Sequence, residues 1–283
     1  MDYQRIRYEN PAPGVARITL ARDEVRNAQD RRMIYEIDDA LQRVGADNTV
    51  KAVIIAADGP HFSSGHDLDD AYDQNNDEFR RVTLWGGFDE PGLGWHMNLE
   101  EDVFLGMARR WRDFPKPTLV AVQGACIAGG LMLVWPFDIV IAADDATFSD
   151  PVVAFGTNGV EYFAHVWELG HRKAKEFLFT GAALSAEECR RIGMVNHVVP
   201  RADLAEFTLK MAQRIATRPI MGLRLAKLSV NQSLDAQGQW TAIQAAFSLH
   251  HIGHAQARLL HGLPVDPAGV DVIRREAKQP PSS

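Results

Sequence analysis

The chain has 283 residues, of which 46% are hydrophobic and 24% are charged, and its formal net charge is −7. These values predict a globular protein with enough apolar material for one large core, and they exclude a disordered chain. Lys and Arg are scattered rather than clustered, so we expect no nucleic-acid partner. Cys126 and Cys189 lack the spacing of a disulfide scaffold or a zinc site. Because there is no leader-like start and no long uncharged apolar run, we expect a cytoplasmic protein without membrane contact.

The first elements predict an α/β crossover. Residues 14–22 alternate apolar and polar side chains after a Pro-Ala-Pro-Gly turn, as a strand does. Residues 31–44 carry apolar side chains at helical spacing, with Asp30 placed to cap the helix. Residues 51–57 form a short run rich in β-branched side chains, typical of a buried strand. A strand, a helix and a second strand in this order indicate an α/β fold.

The stretch after that strand offers main-chain donors and then loses periodicity. Residues 61–70 place two serines and Gly65 beyond the end of a strand, where α/β sheets bind ligands. Residues 71–98 are polar and then rich in Gly and Trp, and we expect a mobile flap there, with an ill-ordered insertion as the alternative.

A glycine turn follows the third predicted strand. A helix from Leu99 is ended by Pro115 and Pro117, and the strands 118–122 and 138–143 enclose a turn that contains Gly129. A helix beginning at Gly129 would present unpaired N–H groups to an anion or a polarised carbonyl oxygen. The alternative is a turn whose glycines only allow close packing.

The sequence from Ser185 onward predicts mainly helices. Ser185 and Glu188 form a capping box for a helix that ends near Gly193, and three further helices follow Pro200. His251 and His254 could ligate a metal from one helix face, but the sequence offers them no evident carboxylate partner, so we predict no metal site. Residues 271–283 are expected to be frayed.

These motifs resemble those of the crotonase family, the enoyl-CoA hydratase and isomerase superfamily. The segments LARDEVRNAQ, FSSGHDL, VQGACIAGG, FDIVIAADDATFSDP and LFTGAALSAEECRRIGMVNHVVP are similar to the family's motifs, and they occur in the family's order. The resemblance implies an α/β fold with a crotonase-like spiral core of ββα turns. It places that core with its acyl-CoA site in residues 1–200 and a helical trimerisation region in residues 201–270.

The resemblance also implies a ligand and an assembly. The substrate would be an acyl-CoA thioester, with coenzyme A present as part of the substrate and no permanently bound cofactor. The chain would form a homotrimer or a dimer of trimers.

Carried over position by position, the family's oxyanion hole falls on the main-chain N–H groups of His66 and Gly129. Two such donors stabilise the charge that develops on a thioester oxygen, and losing one costs about 3 kcal/mol. In this alignment the side chain of His66 only lines the pocket. The substrate contacts implied by the resemblance are Glu24, Val25, Arg26, Ser64, Gly65, Asp67, Leu68, Met132 and Val152.

Two of these positions depart from the family pattern. Hydratases of the family hold the attacking water between two glutamates, and the aligned positions here are Met132 and Val152. Without a general acid or base, about 10²- to 10⁴-fold of rate is lost. We therefore do not expect hydration by the usual mechanism.

Other family members place a carboxylate further along the chain, and Glu161 lies within a residue or two of that position. Burial among apolar neighbours would raise its basicity, whereas the alternative is a charge in the first turn of a helix. Asp150 is the second candidate, with turn capping as its alternative. The predicted function is an enzyme that stabilises a thioester enolate, as an isomerase, an atypical hydratase or a hydrolase. The alternative is a catalytically silent acyl-CoA binder or scaffold.

Overall fold

The computed structural model describes residues 2–68, 70, 81–83 and 85–276, and it shows an α/β protein. The strands are β1 (Ile6–Ala12), β2 (Val15–Leu20), β3 (Ala52–Ala57), β4 (Thr118–Val122), β5 (Ala125–Ile127), β6 (Ile139–Ala143), β7 (Thr147–Ser149), β8 (Leu184–Ser185) and β9 (His197–Val199). The helices are α1 (Arg31–Ala46), α2 (Gly94–Glu100), α3 (Met107–Arg112), α4 (His165–Leu169), α5 (His171–Thr180), α6 (Ala186–Ile192), α7 (Leu204–Ala216), α8 (Ile220–Ala236), α9 (Gln239–His261) and α10 (Gly269–Glu276). In the described parts of the chain, no helix has both the length and the apolar character needed to cross a bilayer.

Two sheets share the chain in a repeated pattern. The main sheet has the order β1-β2-β3-β4-β6-β9, and the smaller sheet has the order β5-β7-β8. The chain passes from β4 into β5 and again from β6 into β7, and both pairs of neighbours, β4 with β6 and β5 with β7, are parallel. Each repeat therefore contributes one strand to each sheet, which is the spiral arrangement that the resemblance predicted.

Both faces of the main sheet are covered. Val53 and Ile55 of β3 face a large apolar cluster that includes α1, whereas Ala52 and Ile54 face a smaller cluster that includes Leu204 of α7. Alternate residues of a strand point to opposite faces, so a strand buried on both sides is apolar throughout. This explains why residues 52–57 carry no polar side chain.

Most predicted elements are confirmed. Asp30 caps α1 by accepting a hydrogen bond from the N–H of Met33, and Ser185 caps α6 by accepting one from Glu188. The capping box is only half formed, because the carboxylate of Glu188 pairs with Arg191 and Lys173 instead. Gly193 ends α6 with a φ of 95°, as a left-handed C-terminal residue does.

Four expectations were wrong or incomplete. The first strand, β1, was missed. The turn at Gly129 opens a short 3-10 segment, Ala128–Leu133, and not an α-helix. Residues 271–276 belong to α10 rather than to a frayed tail, and residues 277–283 lie outside the described residues. The predicted flap ends earlier than expected, because α2 begins at Gly94; its residues 71–80 and 84 lie outside the described residues.

A half-buried carboxyl group in α4 leads to a prediction about stability. Burial raises the pKa of Glu168 from its ordinary value of 4.5 to about 7. Between these two pH values the folded chain holds a proton that the unfolded chain has released, so stability falls as the pH rises through this window. We expect Glu168→Gln to raise the free energy of unfolding by about 1–2 kcal/mol at pH 8, after allowance for partial exposure, and to have no effect near pH 4. Urea unfolding at both pH values measures this, and an equal gain at both would contradict it.

Candidate active site

Two loops from distant parts of the sequence run side by side at the ends of β3 and β4. Ser63 pairs with Cys126 in an isolated bridge, and the N–H of Ile127 donates to the carbonyl oxygen of Ser63 at 3.0 Å. Gly65 has a φ of 95°, and a Cβ there would lie 2.9 Å from the oxygen of Ile127 and 3.3 Å from the nitrogen of Gly129. Only glycine allows this approach, which brings the predicted donors of residues 66 and 129 into one place.

The two predicted donors have no hydrogen-bond partner among the described residues. Within the described part of the chain, the main-chain N–H groups of His66 and Gly129 donate no hydrogen bond. Ala128, immediately before Gly129, has a φ of 48°, which is unfavourable for a residue with a side chain. Such backbone strain clusters at functional sites. The turn therefore holds the N–H of Gly129 in place through an unfavourable backbone conformation at Ala128.

The side chain of His66 has a larger part in the site than the sequence suggested. Its Nε2 lies 3.2 Å from Oε2 of Glu161, and its ring stacks on Phe104 with a centroid distance of 3.8 Å. On its other side the ring lies against Gly129, where a Cβ would be 2.6 Å from Cε1 of the imidazole. Its Nδ1 is buried and makes no hydrogen bond with a described residue. The imidazole thus connects the glycine turn to the carboxylate.

Glu161 is buried, with 4% of its surface exposed, and it precedes α4. The interpretation of Glu161 as a first-turn helix charge is therefore wrong. Burial by itself raises the pKa of the Glu161 carboxyl, but the neighbouring His66, with a smaller contribution from His250, lowers that pKa further than burial raises it. The net direction is downward, opposite to the increase in basicity that we expected from desolvation. Glu161 is consequently a carboxylate at neutral pH.

Asp150, the second candidate, makes hydrogen bonds that hold the loop carrying Glu161. It is fully buried, and its Oδ2 accepts a hydrogen bond from the N–H of Val160 at 3.0 Å. Nε2 of His165 lies 2.7 Å from the same oxygen. It also accepts a longer bond from the N–H of Val152, at 3.4 Å, which is the turn-capping contact of the alternative. These contacts fix the loop that carries Glu161, so they favour a positioning role for Asp150.

Met132 and Val152 place apolar surface near the glycine turn. Met132 is buried in the 3-10 segment that follows Gly129, and Val152 is half-buried against the same apolar cluster. Val152 begins a second short 3-10 segment, Val152–Phe155. The two positions that the resemblance aligns with the hydratase glutamates are thus apolar here, one buried and one partly buried.

The predicted substrate contacts at residues 24–26 lie beside those at residues 64–68. Glu24 and Val25 are exposed in a 3-10 turn, and the N–H of Ser64 donates to the carbonyl oxygen of the exposed Arg26 at 3.0 Å. Leu68 is 76% exposed. Asp67 is held by the guanidinium of Arg22 at 3.0 Å. Residues 24–26 and 64–68 therefore form one continuous surface. Arg22 does not contribute a free charge to it, because its guanidinium is paired with Asp67.

A buried cluster of histidines adjoins this site, and the sequence analysis missed it. Glu100, at the end of α2, lies within 3.6 Å of an imidazole nitrogen from each of four histidines, which are His96, His250, His251 and His254. His96 precedes Glu100 by one helical turn, and His250 precedes His254 by one turn of α9. Those two spacings were a usable signal, but nothing in the sequence shows that α2 packs on α9.

The pKa values of the groups in this cluster are shifted by burial and by neighbouring charges. Burial would raise the pKa of the Glu100 carboxyl, but His96 and His254 hold it well below its usual range. Burial lowers the pKa of His251 to about 4, despite the nearby carboxylate. His254 has a raised pKa, because its contact with Glu100 outweighs burial. The cluster therefore holds a carboxylate and at least one neutral imidazole at neutral pH.

The fold and this site define a class of protein, and comparison with known sequences agrees. The sequence model of the enoyl-CoA hydratase/isomerase family matches residues 10–90 and 97–263. The chain belongs to this family.

Individual relatives carry names from the same family. The Mycobacterium tuberculosis protein named "Putative enoyl-CoA hydratase EchA13" is 40% identical over 266 residues, covering 90% of this chain and 82% of the relative. The crystal structure of a probable enoyl-CoA hydratase from Mycobacterium smegmatis is 47% identical with a TM-score of 0.84, covering 94% of this chain and 100% of the other. A monofunctional enoyl-CoA isomerase from M. smegmatis is 27% identical with a TM-score of 0.63, covering 82% and 94%. Solved structures named as a probable hydratase and as an isomerase therefore share this fold.

Proposed function

We propose that this chain isomerises the double bond of an enoyl-CoA thioester, with Glu161 carrying the proton. The observation that supports this most directly is the position of Glu161, which is buried and lies 3.2 Å from the imidazole of His66. Moving a double bond requires one base that removes a proton from one carbon and returns it to another. Hydration by two glutamates requires carboxylates where this chain has Met132 and Val152. A buried carboxylate paired with the imidazole of His66 suits the first reaction.

In the proposed mechanism, the main-chain N–H groups of His66 and Gly129 bind the thioester carbonyl oxygen. Glu161 takes a proton from the carbon chain, and the electrons of the broken C–H bond move onto that oxygen as an enolate. Preorganised donors stabilise this charge without reorganising at the moment of reaction. Glu161 then returns the proton at the other end of the conjugated system, so the atoms balance without a further reactant.

The coenzyme A part of the substrate would lie on the surface formed by the two loops. Glu24, Val25 and Arg26 contribute the first loop, and Ser64 to Leu68 contribute the second. Arg26 is exposed there, and its positive charge suits a phosphate group. The acyl chain would enter beside Met132 and Val152, whose side chains are apolar.

An atypical hydratase is the second candidate, and one observation favours it. The Nδ1 atom of His66 is buried and makes no hydrogen bond with a described residue. A water bound at this nitrogen could be activated by an imidazole whose Nε2 is oriented by Glu161. Product analysis separates the two reactions, because hydration adds an oxygen atom and isomerisation does not.

The test is a panel of saturated, 2-enoyl and 3-enoyl CoA thioesters incubated with the enzyme in deuterated water. We expect deuterium to enter the carbon next to the thioester carbonyl in at least one member, together with a shift of its double bond. Mass spectrometry measures both, and heat-inactivated enzyme is the control. If thioesters bind but show neither exchange nor conversion, the chain is the catalytically silent binder of the alternative.

We also propose that the chain assembles as a homotrimer or a dimer of trimers, in a reducing compartment such as the cytoplasm. Helix α8 has no buried residue in the single chain, yet it carries exposed apolar side chains, as does α9. Exposed apolar surface of this extent is typical of a subunit interface. Both cysteines are buried free thiols, which suits a reducing compartment. Light scattering after gel filtration would measure the subunit number.

A further inference from the structure

The most unusual feature outside the proposed catalytic pair is the histidine cluster around Glu100. Its five members come from α2 and α9, and each has less than a tenth of its surface exposed. Nε2 of His96 lies 2.9 Å from Oε1 of Glu100, and Nε2 of His254 lies 3.3 Å from the same oxygen. One carboxylate thus faces several imidazoles in a buried region.

The hydrogen bonds of two histidines show which nitrogens carry protons. Nδ1 of His250 lies 2.9 Å from the carbonyl oxygen of Gly159, and Nδ1 of His254 lies 2.5 Å from that of Pro264. A carbonyl oxygen only accepts, so both Nδ1 atoms must donate. In the neutral imidazoles both Nε2 atoms therefore present lone pairs, and these two atoms are 2.9 Å apart. Two facing lone pairs repel unless a cation or a proton lies between them.

Other polar atoms of the cluster also lack hydrogen-bond partners among the described residues. Oε2 of Glu100 and both ring nitrogens of His251 are buried and make no hydrogen bond with a described residue. Buried polar atoms are satisfied in most proteins, so each exception needs an explanation. Nε2 of His251 lies 3.3 Å from Oε2 of Glu100, which aims an unpartnered imidazole at the same carboxylate.

We propose that His96, Glu100 and His254, with His250 as the fourth ligand, bind one divalent transition-metal ion of the zinc type. Zinc takes imidazole nitrogens and carboxylate oxygens at about 2.0–2.2 Å, which places neighbouring ligand atoms about 3 Å apart. The distances of 2.9, 2.9 and 3.3 Å between donor atoms match this spacing. Ligand atoms of His96, Glu100 and His254 all lie within 4.8 Å of one another.

The surroundings orient two of the ligands as metal sites require. Ligating histidines usually donate their other nitrogen to a carbonyl or a carboxylate, which fixes the ring and its tautomer. The carbonyl groups of Gly159 and Pro264 do this for His250 and His254. Four protein ligands would close the coordination sphere, so the ion would be structural and would connect α2 to α9.

This inference goes beyond the proposed reaction and does not depend on it. His250 separates the cluster from the catalytic pair, with its Nε2 3.8 Å from Oε1 of Glu161. Metal binding is measured without any acyl-CoA, so a failure of the isomerase proposal leaves the metal proposal intact, and the reverse also holds.

The experiment uses the full-length chain without a histidine tag, stripped with a chelator and then titrated with Zn²⁺ or Co²⁺ alone. We expect one ion per chain, a higher melting temperature, and the visible absorption of four-coordinate Co²⁺. His254→Gln should weaken binding by at least about 100-fold. The matched control is His261→Gln, since His261 lies near the end of the same helix with its Nε2 3.9 Å from Asp266 and outside the cluster.

Two results would overturn the metal site. The first is a folded wild-type chain that takes up no stoichiometric ion and shows no change in melting temperature, which would mean that a shared proton separates the two Nε2 atoms. The second is equal affinity in wild type, His254→Gln and Glu100→Gln. The titration of the wild-type chain by itself shows whether the metal site exists. The proposal is therefore tested even if a variant fails to fold.

Discussion

Gly129→Ala is expected to reduce kcat/KM by at least about 100-fold, the scale on which a lost oxyanion donor acts. The new Cβ would lie 2.6 Å from Cε1 of His66, which is closer than real side-chain contacts allow. The imidazole cannot retreat, because Phe104 stacks on its opposite face at 3.8 Å. Either the N–H of Gly129 or the contact between His66 and Glu161 must move. Steady-state kinetics with the best substrate of the acyl-CoA panel measures the loss.

Gly222→Ala is the matched control for this substitution. Gly222 lies in α8 without a left-handed backbone, and nothing lies within 4 Å of the added Cβ. Alanine is the better helix former, so this variant should be as stable as wild type or slightly more stable, with unchanged turnover. A folded Gly129→Ala enzyme with wild-type kcat/KM would contradict the proposed oxyanion hole.

Glu161→Gln is expected to lower kcat by about 10²- to 10⁴-fold, which is the usual contribution of a general base. The amide has nearly the same shape as the carboxylate, so substrate binding should change little. Deuterium exchange at the carbon next to the thioester should fall in proportion to kcat, because both need the same proton transfer. A fall in exchange distinguishes this role from a structural one, which would raise KM or lower stability first.

Two further carboxyl variants test whether the effect is specific to Glu161. Glu168→Gln makes the same chemical change seven residues later on α4 and should leave turnover unchanged. Asp150→Asn removes an acceptor from the loop that holds Glu161, and we expect a lower melting temperature together with a partial loss of activity. If Glu161→Gln turns over every accepted thioester at the wild-type rate, Glu161 is not the base.

The sequence predicted the elements whose cause is local. Asp30 at the start of α1, Ser185 at the start of α6 and Gly193 at its end act through contacts within a few residues. The glycines at 65 and 129 were recognised because a close approach of backbone needs glycine. In contrast, β1 was missed because it contains Asn10 and Pro11 at its end, and its place in the sheet comes from pairing with β2.

The side-chain chemistry of the site was harder to predict, because it depends on contacts across the chain. The low pKa of Glu161 comes from His66, which is 95 residues away. His251 and His254 were noticed, but their carboxylate partner, Glu100, belongs to a different helix. Periodicity shows which face of a helix is apolar. It does not show which other helix will cover that face.

The helical segment that contains both Glu100 and Phe104 limits how this chain can vary. Between α2 and α3, residues Glu101–Gly106 form a π-helical turn, which accommodates one residue more than an α-helical turn. Glu100 faces the histidines of α9, and Phe104 stacks on His66. Insertion or deletion of a single residue here would rotate everything beyond it by about 100°, so one of the two contacts would be lost. Related sequences that keep both contacts should therefore not vary in length between Glu100 and Phe104.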